Sequence, residues 1–206
     1  SNAIDIGVNT LTLGIPETAG LSANESLLYR VAVGAGETLE VSLDGAAGAA
    51  NELYVLYEGL PNSIHFDAAF EGHLLPDQTA TVPTTQAGYY YILVRGHSEP
   101  APNSPITLSA RVLPFAIDDV TPDAGGDDRY VTMRIKGSKF NAAASVKLIR
   151  PRFAEFEPVS YRVVDATEII ATFDLRDAPH GLYDVQVRNP SGEAVVLPYR
   201  YLVEQA

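Results

Sequence analysis

Cysteine and tryptophan are both absent from the 206 residues, and methionine occurs once. Without cysteine there is no disulfide framework, no thiolate zinc site and no thiol nucleophile, and cysteine usage is silent about the redox compartment. The lack of tryptophan removes the commonest aromatic platform for a sugar ring, so the 11 tyrosines would have to supply one. Charge is sparse, at 19% of residues, and lopsided: 14 Lys+Arg stand against 26 Asp+Glu for a net charge of -12. That balance removes the electrostatic drive for binding a phosphate backbone, so nucleic acid is not an expected partner. No stretch approaches the roughly 18 uninterrupted apolar residues of a membrane helix, so no membrane insertion is expected within these residues. Ser1-Asn2-Ala3 has the look of a scar left by tag cleavage, and no signal-peptide pattern precedes Ile4. The expectation is a piece of a longer protein, with any export signal upstream.

What is present alternates with period two. Val131, Met133 and Ile135 interleave with Thr132, Arg134 and Lys136, and Tyr183, Val185 and Val187 with Asp184, Gln186 and Arg188. That pattern predicts half-buried antiparallel strands. Turn chemistry separates the runs at Gly34-Ala35-Gly36, Leu60-Pro61-Asn62 and Asn189-Pro190-Ser191-Gly192, and the 14 Pro and 16 Gly suit strands better than helices. The chain reads as all-β, with one short helical turn expected around Pro61 to Phe70.

Charge also divides the chain. Residues 4–114 hold three arginines, no lysine and 12 acids, a net -9, whereas residues 115–206 hold 11 bases and 14 acids, a net -3. Two surfaces of such different charge imply two modules of the size of small domains. Pro114 follows the strand-like Thr107 to Leu113, and the polar run Asp118 to Arg129 opens the second module, so the boundaries are 4–114 and 115–206. The expected architecture is two β-sandwich domains in tandem.

In the first module, Leu28-Tyr29-Arg30-Val31-Ala32-Val33 with Ala35-Gly36-Glu37-Thr38-Leu39 is followed by Glu52-Leu53-Tyr54-Val55 and then Gly88-Tyr89-Tyr90-Tyr91-Ile92-Leu93-Val94. Their order and spacing resemble the bacterial pre-peptidase C-terminal domain, a jelly-roll-like sandwich appended to secreted peptidases and other exported proteins. The family often shows Asp-Leu-Asp before the Leu-Tyr-Val strand. Here Ala50-Asn51-Glu52 stands in its place, which removes both aspartates from any cation site there. The second module looks like an IPT/TIG domain, an immunoglobulin-like sandwich of extracellular bacterial proteins. Ile117-Asp118-Asp119-Val120-Thr121-Pro122 with Gly125-Gly126 matches its opening, Gly137-Ser138-Lys139-Phe140 its turn, and Gly181 to Gly192 its closing hairpin. Gly137 and Gly192 are expected at positive φ, with Phe140 as a plug beneath the turn. Both resemblances imply export to the extracellular space or cell surface, and neither implies a chemistry of its own.

Catalytic motifs are missing. There is no Gly-x-Ser-x-Gly elbow and no His-Glu-x-x-His pair, and Gly34-Ala35-Gly36 lacks the third glycine and following helix of a dinucleotide fingerprint. His65, His73 and His97, spaced by eight and 24 residues, match no metal pattern and read as loop histidines. Asp118, Asp119, Asp123, Asp127 and Asp128 crowd into eleven residues around Gly125-Gly126. Calcium gathers six to eight oxygens from a flexible loop, so this cluster is a calcium candidate, and a solvated acidic turn is the alternative.

One surface stands out. If Tyr90, Ile92 and Val94 face the core, then Tyr89, Tyr91 and Leu93 face outward, and the same alternation along Leu53 to Tyr57 turns Tyr54 and Leu56 outward. An outer face of Tyr and Leu is either covered by a loop or the second module, or is a surface for an extracellular protein or glycan. The functional expectation is a pair of non-catalytic spacer, stabilising or binding modules whose partners are other domains of the same parent chain. The alternatives are the substrate-targeting region of a secreted peptidase and an adhesin-like surface module. No enzyme activity is expected within the 206 residues.

Overall fold

Alternating apolar and polar residues become strands wherever turn residues bound them, and here they do so along nearly the whole chain. The computed structural model describes residues 7–205, so Ser1–Ala3, expected to be a tag scar, and Ile4, the expected start of the first module, lie outside the described residues. Every regular element described is a strand, and the fold is all-β. The chain forms two compact units, one ending at Leu113 and the other beginning at Pro114.

The first unit contains β1 (Asn9–Thr10), β2 (Glu17–Leu21), β3 (Ser26–Val33), β4 (Thr38–Asp44), β5 (Ala50–Tyr57), β6 (Ala68–Ala69), β7 (Gln78–Val82), β8 (Gly88–Ser98) and β9 (Ser104–Leu113). They make a five-stranded sheet in the order β1-β3-β8-β5-β6 and a four-stranded sheet in the order β2-β9-β4-β7. Alternate residues of the two sheets share one core. Tyr29, Val31, Leu53, Val55, Tyr90, Ile92 and Val94 come from the first sheet, and Leu39, Val41, Leu43, Ile106, Leu108 and Ala110 from the second. Each such large apolar side chain contributes about 1.5–3 kcal/mol on burial, which is the source of cohesion in a unit with no covalent staple.

The helical turn expected around Pro61 to Phe70 does not form. Asn62 and His65 instead exchange backbone hydrogen bonds at 3.0 and 3.3 Å, and the Asn62 side-chain oxygen accepts from the Ile64 N–H at 3.0 Å. An asparagine that bonds the backbone two residues on favours a turn over a helix. The chain then returns to pair Ala69 with Tyr54 and Ala68 with Val55.

The second unit contains β10 (Ala116–Thr121), β11 (Ala124–Gly126), β12 (Tyr130–Ser138), β13 (Ser145–Arg150), β14 (Ala154–Phe156), β15 (Ser160–Asp165), β16 (Glu168–Asp174), β17 (Gly181–Arg188) and β18 (Ala194–Glu204). Its sheets run β10-β12-β16-β15 and β11-β18-β17-β13-β14. With the two short strands β11 and β14 set aside, this is the strand order of an immunoglobulin-type sandwich. The hydroxyl of Tyr183, near the start of β17, donates to the Pro179 carbonyl at 2.8 Å, the bond that closes a tyrosine corner in such folds. Met133, Ile135, Ile169 and Phe173 face Val146, Leu148, Val185, Val187 and Tyr201 across the core.

Gly192 does take positive φ, at 92°. Gly137 does not; it lies within β12, and a side chain there would run into the Ala116 carbonyl and the ring of Phe140. It is glycine because two neighbours approach closely, and the positive φ of this turn, 57°, falls on Lys139. Phe140 is buried and meets Phe115 edge-on at 6.3 Å.

Candidate binding surface

The outer face of the five-stranded sheet is set by register. Leu28, Leu93 and Tyr54 lie opposite one another across β3, β8 and β5, and the next row is Arg30, Tyr91 and Leu56. Residues opposed in antiparallel strands share a face, so the five residues singled out by alternation do lie on one surface.

Their exposures separate them. Tyr54 and Leu56 are each only 7% exposed, Tyr91 and Leu93 are half-buried, and Tyr89 is 39% exposed. The segment that follows β5 covers the first two. Phe66 and Phe70 lie 5.7 Å from the Tyr54 ring, Phe70 edge-on, and the backbone of Gly59 sits close against the side chain of Leu56. Such aromatic contacts stabilise the fold-back beyond plain area burial. Tyr54 and Leu56 thus point away from the core, as alternation requires, yet are covered by a loop of their own unit. Burial, with Glu52 alongside, raises the pKa of the Tyr54 hydroxyl, which donates to Glu52 at 3.3 Å. Glu52 also lies 3.8 Å from Arg95 and 3.9 Å from His97.

What remains open on this face is centred on Tyr89 and Tyr91. The guanidinium of Arg30 lies 4.8 Å over the Tyr89 ring, and the Tyr89 N–H donates to Glu58 at 2.9 Å. A cation stacked on a tyrosine gives a flat, amphipathic patch that offers one ring face, one phenol and several N–H donors. Neither Arg30 nor the covering phenylalanines were singled out in the sequence. Arg30 was legible, because it alternates outward with Leu28; Phe66 and Phe70 lie in an aperiodic loop that carries no such signal.

The acidic cluster of the second unit is built differently from an open cation loop. Asp119 accepts from Arg200 at 2.6 Å and from the Thr121 hydroxyl at 2.9 Å, and these bonds hold its carboxyl below the ordinary range. Arg200 also reaches Asp123 at 3.5 Å and the Val120 carbonyl at 3.0 Å. Asp127 meets His180 at 2.7 Å, Asp128 pairs with its neighbour Arg129, and Asp118 is exposed. Among the described residues no group of three His, Cys, Asp or Glu is placed to hold a metal ion. His65, His73 and His97 are all exposed. The partners His180 and Arg200 lie more than fifty residues along the chain from the acids they engage, so nothing local in the sequence announces them.

Residues 25–96 match the family model of the bacterial pre-peptidase C-terminal domain. Among solved structures, the pre-peptidase C-terminal domain of a collagenase from Bacillus anthracis is 14% identical, with the match covering 53% of this chain and 100% of that one at a TM-score of 0.43. PliG of Aeromonas hydrophila, a periplasmic inhibitor of g-type lysozyme, is 15% identical over 51% of this chain and 96% of its own, at a TM-score of 0.37. CorA of Methylomicrobium album BG8, a surface-associated copper-binding protein, is 8% identical over 52% and 100%, at a TM-score of 0.36. No curated protein matches the chain.

Proposed function

We propose that the chain is a pair of non-catalytic accessory modules of a larger exported bacterial protein, acting outside the cell or at its surface as spacer, stabiliser or binding unit. The observation that carries this reading is the match of residues 25–96 to the pre-peptidase C-terminal family, whose members accompany secreted peptidases. For the second unit we propose an IPT/TIG-type spacer role; the immunoglobulin strand order and the Tyr183 corner support it. The test is to assay the intact purified chain against chromogenic peptide and glycoside substrates and, in parallel, to co-sediment it with insoluble protein and polysaccharide polymers. Turnover that scales with protein concentration would overturn the reading. Sedimentation with a polymer, without turnover, would favour its substrate-targeting form.

A second reading has its own support in the exposed Tyr89 ring under Arg30. In it the outer face around Tyr89, Tyr91 and Leu93 binds an extracellular protein or glycan, and the buried Tyr54 and Leu56 support the face from beneath the loop. Polymer or glycan-array binding that disappears in Tyr89→Ala with Tyr91→Ala, while unfolding is unchanged, would establish it. Binding that survives both substitutions would remove it.

A further inference from the structure

Exposed sheet edges in the two units are mostly blunted. β1, β6, β11 and β14 are two or three residues long. β2 and β7 run for five residues with mainly small or polar side chains, and β10 carries a bulge between Ile117 and Asp119 as well as two adjacent acids. Short, irregular or charged edges resist pairing with another chain.

The edge strand β15 departs from that pattern in the apolar side chains it exposes. Along it and just before it, Val159 is 58%, Tyr161 47% and Val164 43% exposed. Its pairing with β16 is regular from Ser160 to Val163 and shifts register between Val163 and Asp165. Valine and tyrosine are strong strand formers, and an edge strand presents every second N–H and C=O to solvent with no partner. A shallow depression of about 280 Å3 adjoins it, lined by Ser160, Tyr161, Arg162, Ile170 and Thr172.

We propose that β15 is a strand-addition site whose occupant is β15 of a second copy of this chain, paired antiparallel about a two-fold axis at Tyr161. Opposed residues must share a face, so a two-fold axis has to pass through a residue position. An axis at Arg162 sets two guanidinium groups opposite each other, which repels. An axis at Tyr161 places Tyr161 against its equivalent within the regularly paired stretch 160–163. Val163, two residues along on the same face, packs against the core, so the Tyr161 pair lies on the core-facing side of the strand. On the outer face each Ser160 hydroxyl meets an Arg162, a donor–acceptor match. The sequence of the strand is therefore self-complementary in this register, which points to a second copy over an unrelated peptide.

The absence of cysteine makes the test direct. Opposed residues at the axis have Cα atoms about 4.5–5.5 Å apart, within disulfide reach, so oxidised Tyr161→Cys should run as a covalent dimer. Val196→Cys, at a site of equal 47% exposure on β18, should stay monomeric. Sedimentation velocity on the intact wild-type chain from about 1 µM to about 1 mM should show reversible dimerisation, over the affinity range a small interface supports. Tyr161→Lys should abolish it with the unfolding transition unchanged, because the replaced side chain is exposed. A wild type that is monomeric throughout, a Tyr161→Lys variant that still dimerises, or equal cross-linking at both cysteine positions would each overturn the proposal.

Discussion

The phenol oxygen of Tyr201 occupies the space that a side chain on Gly125 would need: a Cβ there would overlap the hydroxyl and press on Val131. Tyr201 is wholly buried on β18, and Gly125 lies on β11, which pairs with that strand in parallel. Gly125 is therefore a packing requirement, since its φ is not positive. Gly125→Ala should destabilise the second unit by about 1–3 kcal/mol, the usual cost of overpacking a closed core. The measurement is the denaturant midpoint of the intact chain, and an unchanged transition would refute the argument.

The same tyrosine supports a prediction of opposite sign. Its hydroxyl is buried with no hydrogen-bond partner among the described residues, and burial pushes its pKa up to about 12. A buried polar group without a partner costs free energy that its removal returns. Tyr201→Phe should raise stability by about 1 kcal/mol. In Gly125→Ala it should also relieve much of the strain, so the two substitutions together cost less than the sum of their separate effects. Strict additivity would mean that the two groups do not meet.

These two residues mark where the sequence stops being informative. Tyr90, Ile92 and Val94 could be assigned to the core by alternation alone, because the two faces of a strand are a local property of the backbone. Tyr183, Val185 and Val187 were equally legible. The cover over Tyr54 was not, since it depends on a loop that folds back to bring Phe66 and Phe70 onto the sheet, and a turn built on the Asn62 side chain stands where a helical turn was expected. The acids of the Asp118 to Asp128 segment were visible as a cluster, but their contacts with His180 and Arg200 are long-range. Gly137 was identified as important for the wrong reason: the sequence shows a glycine, and only packing distinguishes a turn from a close approach.

Glu99, between β8 and β9, should make the first unit sensitive to pH. Burial shuts both carboxylate oxygens from solvent and raises its pKa, and the Ser104 hydroxyl offsets this only in part. A carboxyl whose pKa is raised by folding binds more protons in the folded state. Its contribution is thus most favourable below the ordinary carboxylate range and declines as pH rises through the folded-state value. Glu99→Gln should flatten that decline and give higher stability at pH 7, with little change at pH 4. Thermal melts of both proteins at the two pH values test this, and a variant less stable than wild type at pH 7 would contradict it.

Asp174 is displaced the other way. Two bonds from Arg176, at 2.8 and 2.6 Å, hold its carboxyl down to about 2, and Arg176 also stacks on the Tyr130 ring at 4.8 Å. The linked stability is present above the ordinary carboxylate range and is lost as pH falls toward 2. Arg176→Ala should return the Asp174 midpoint to ordinary carboxylate values in a carboxyl-carbon NMR titration. By the same linkage the variant should lose some stability at pH 7 and show a smaller drop in melting temperature between pH 7 and pH 2, both effects kept modest by the solvent screening of an exposed pair. An Asp174 midpoint unchanged in the variant would show that Arg176 is not the cause.

Calcium is the last of the expectations that this geometry addresses. A cation loop needs carboxylate oxygens free to converge, whereas here Arg200 holds Asp119 and Asp123, His180 meets Asp127 and Arg129 meets Asp128. An ion would have to displace side chains that are already in contact, and Asp118 alone supplies too few oxygens for the six to eight that calcium takes. Millimolar calcium should therefore leave the melting temperature of the wild-type chain unchanged, and so should chelator. Arg200→Ala frees two carboxylates at once and should lower the melting temperature through their mutual repulsion, with calcium restoring part of the loss. A shift of several degrees in wild type on adding chelator would show that the cluster opens to an ion despite its partners.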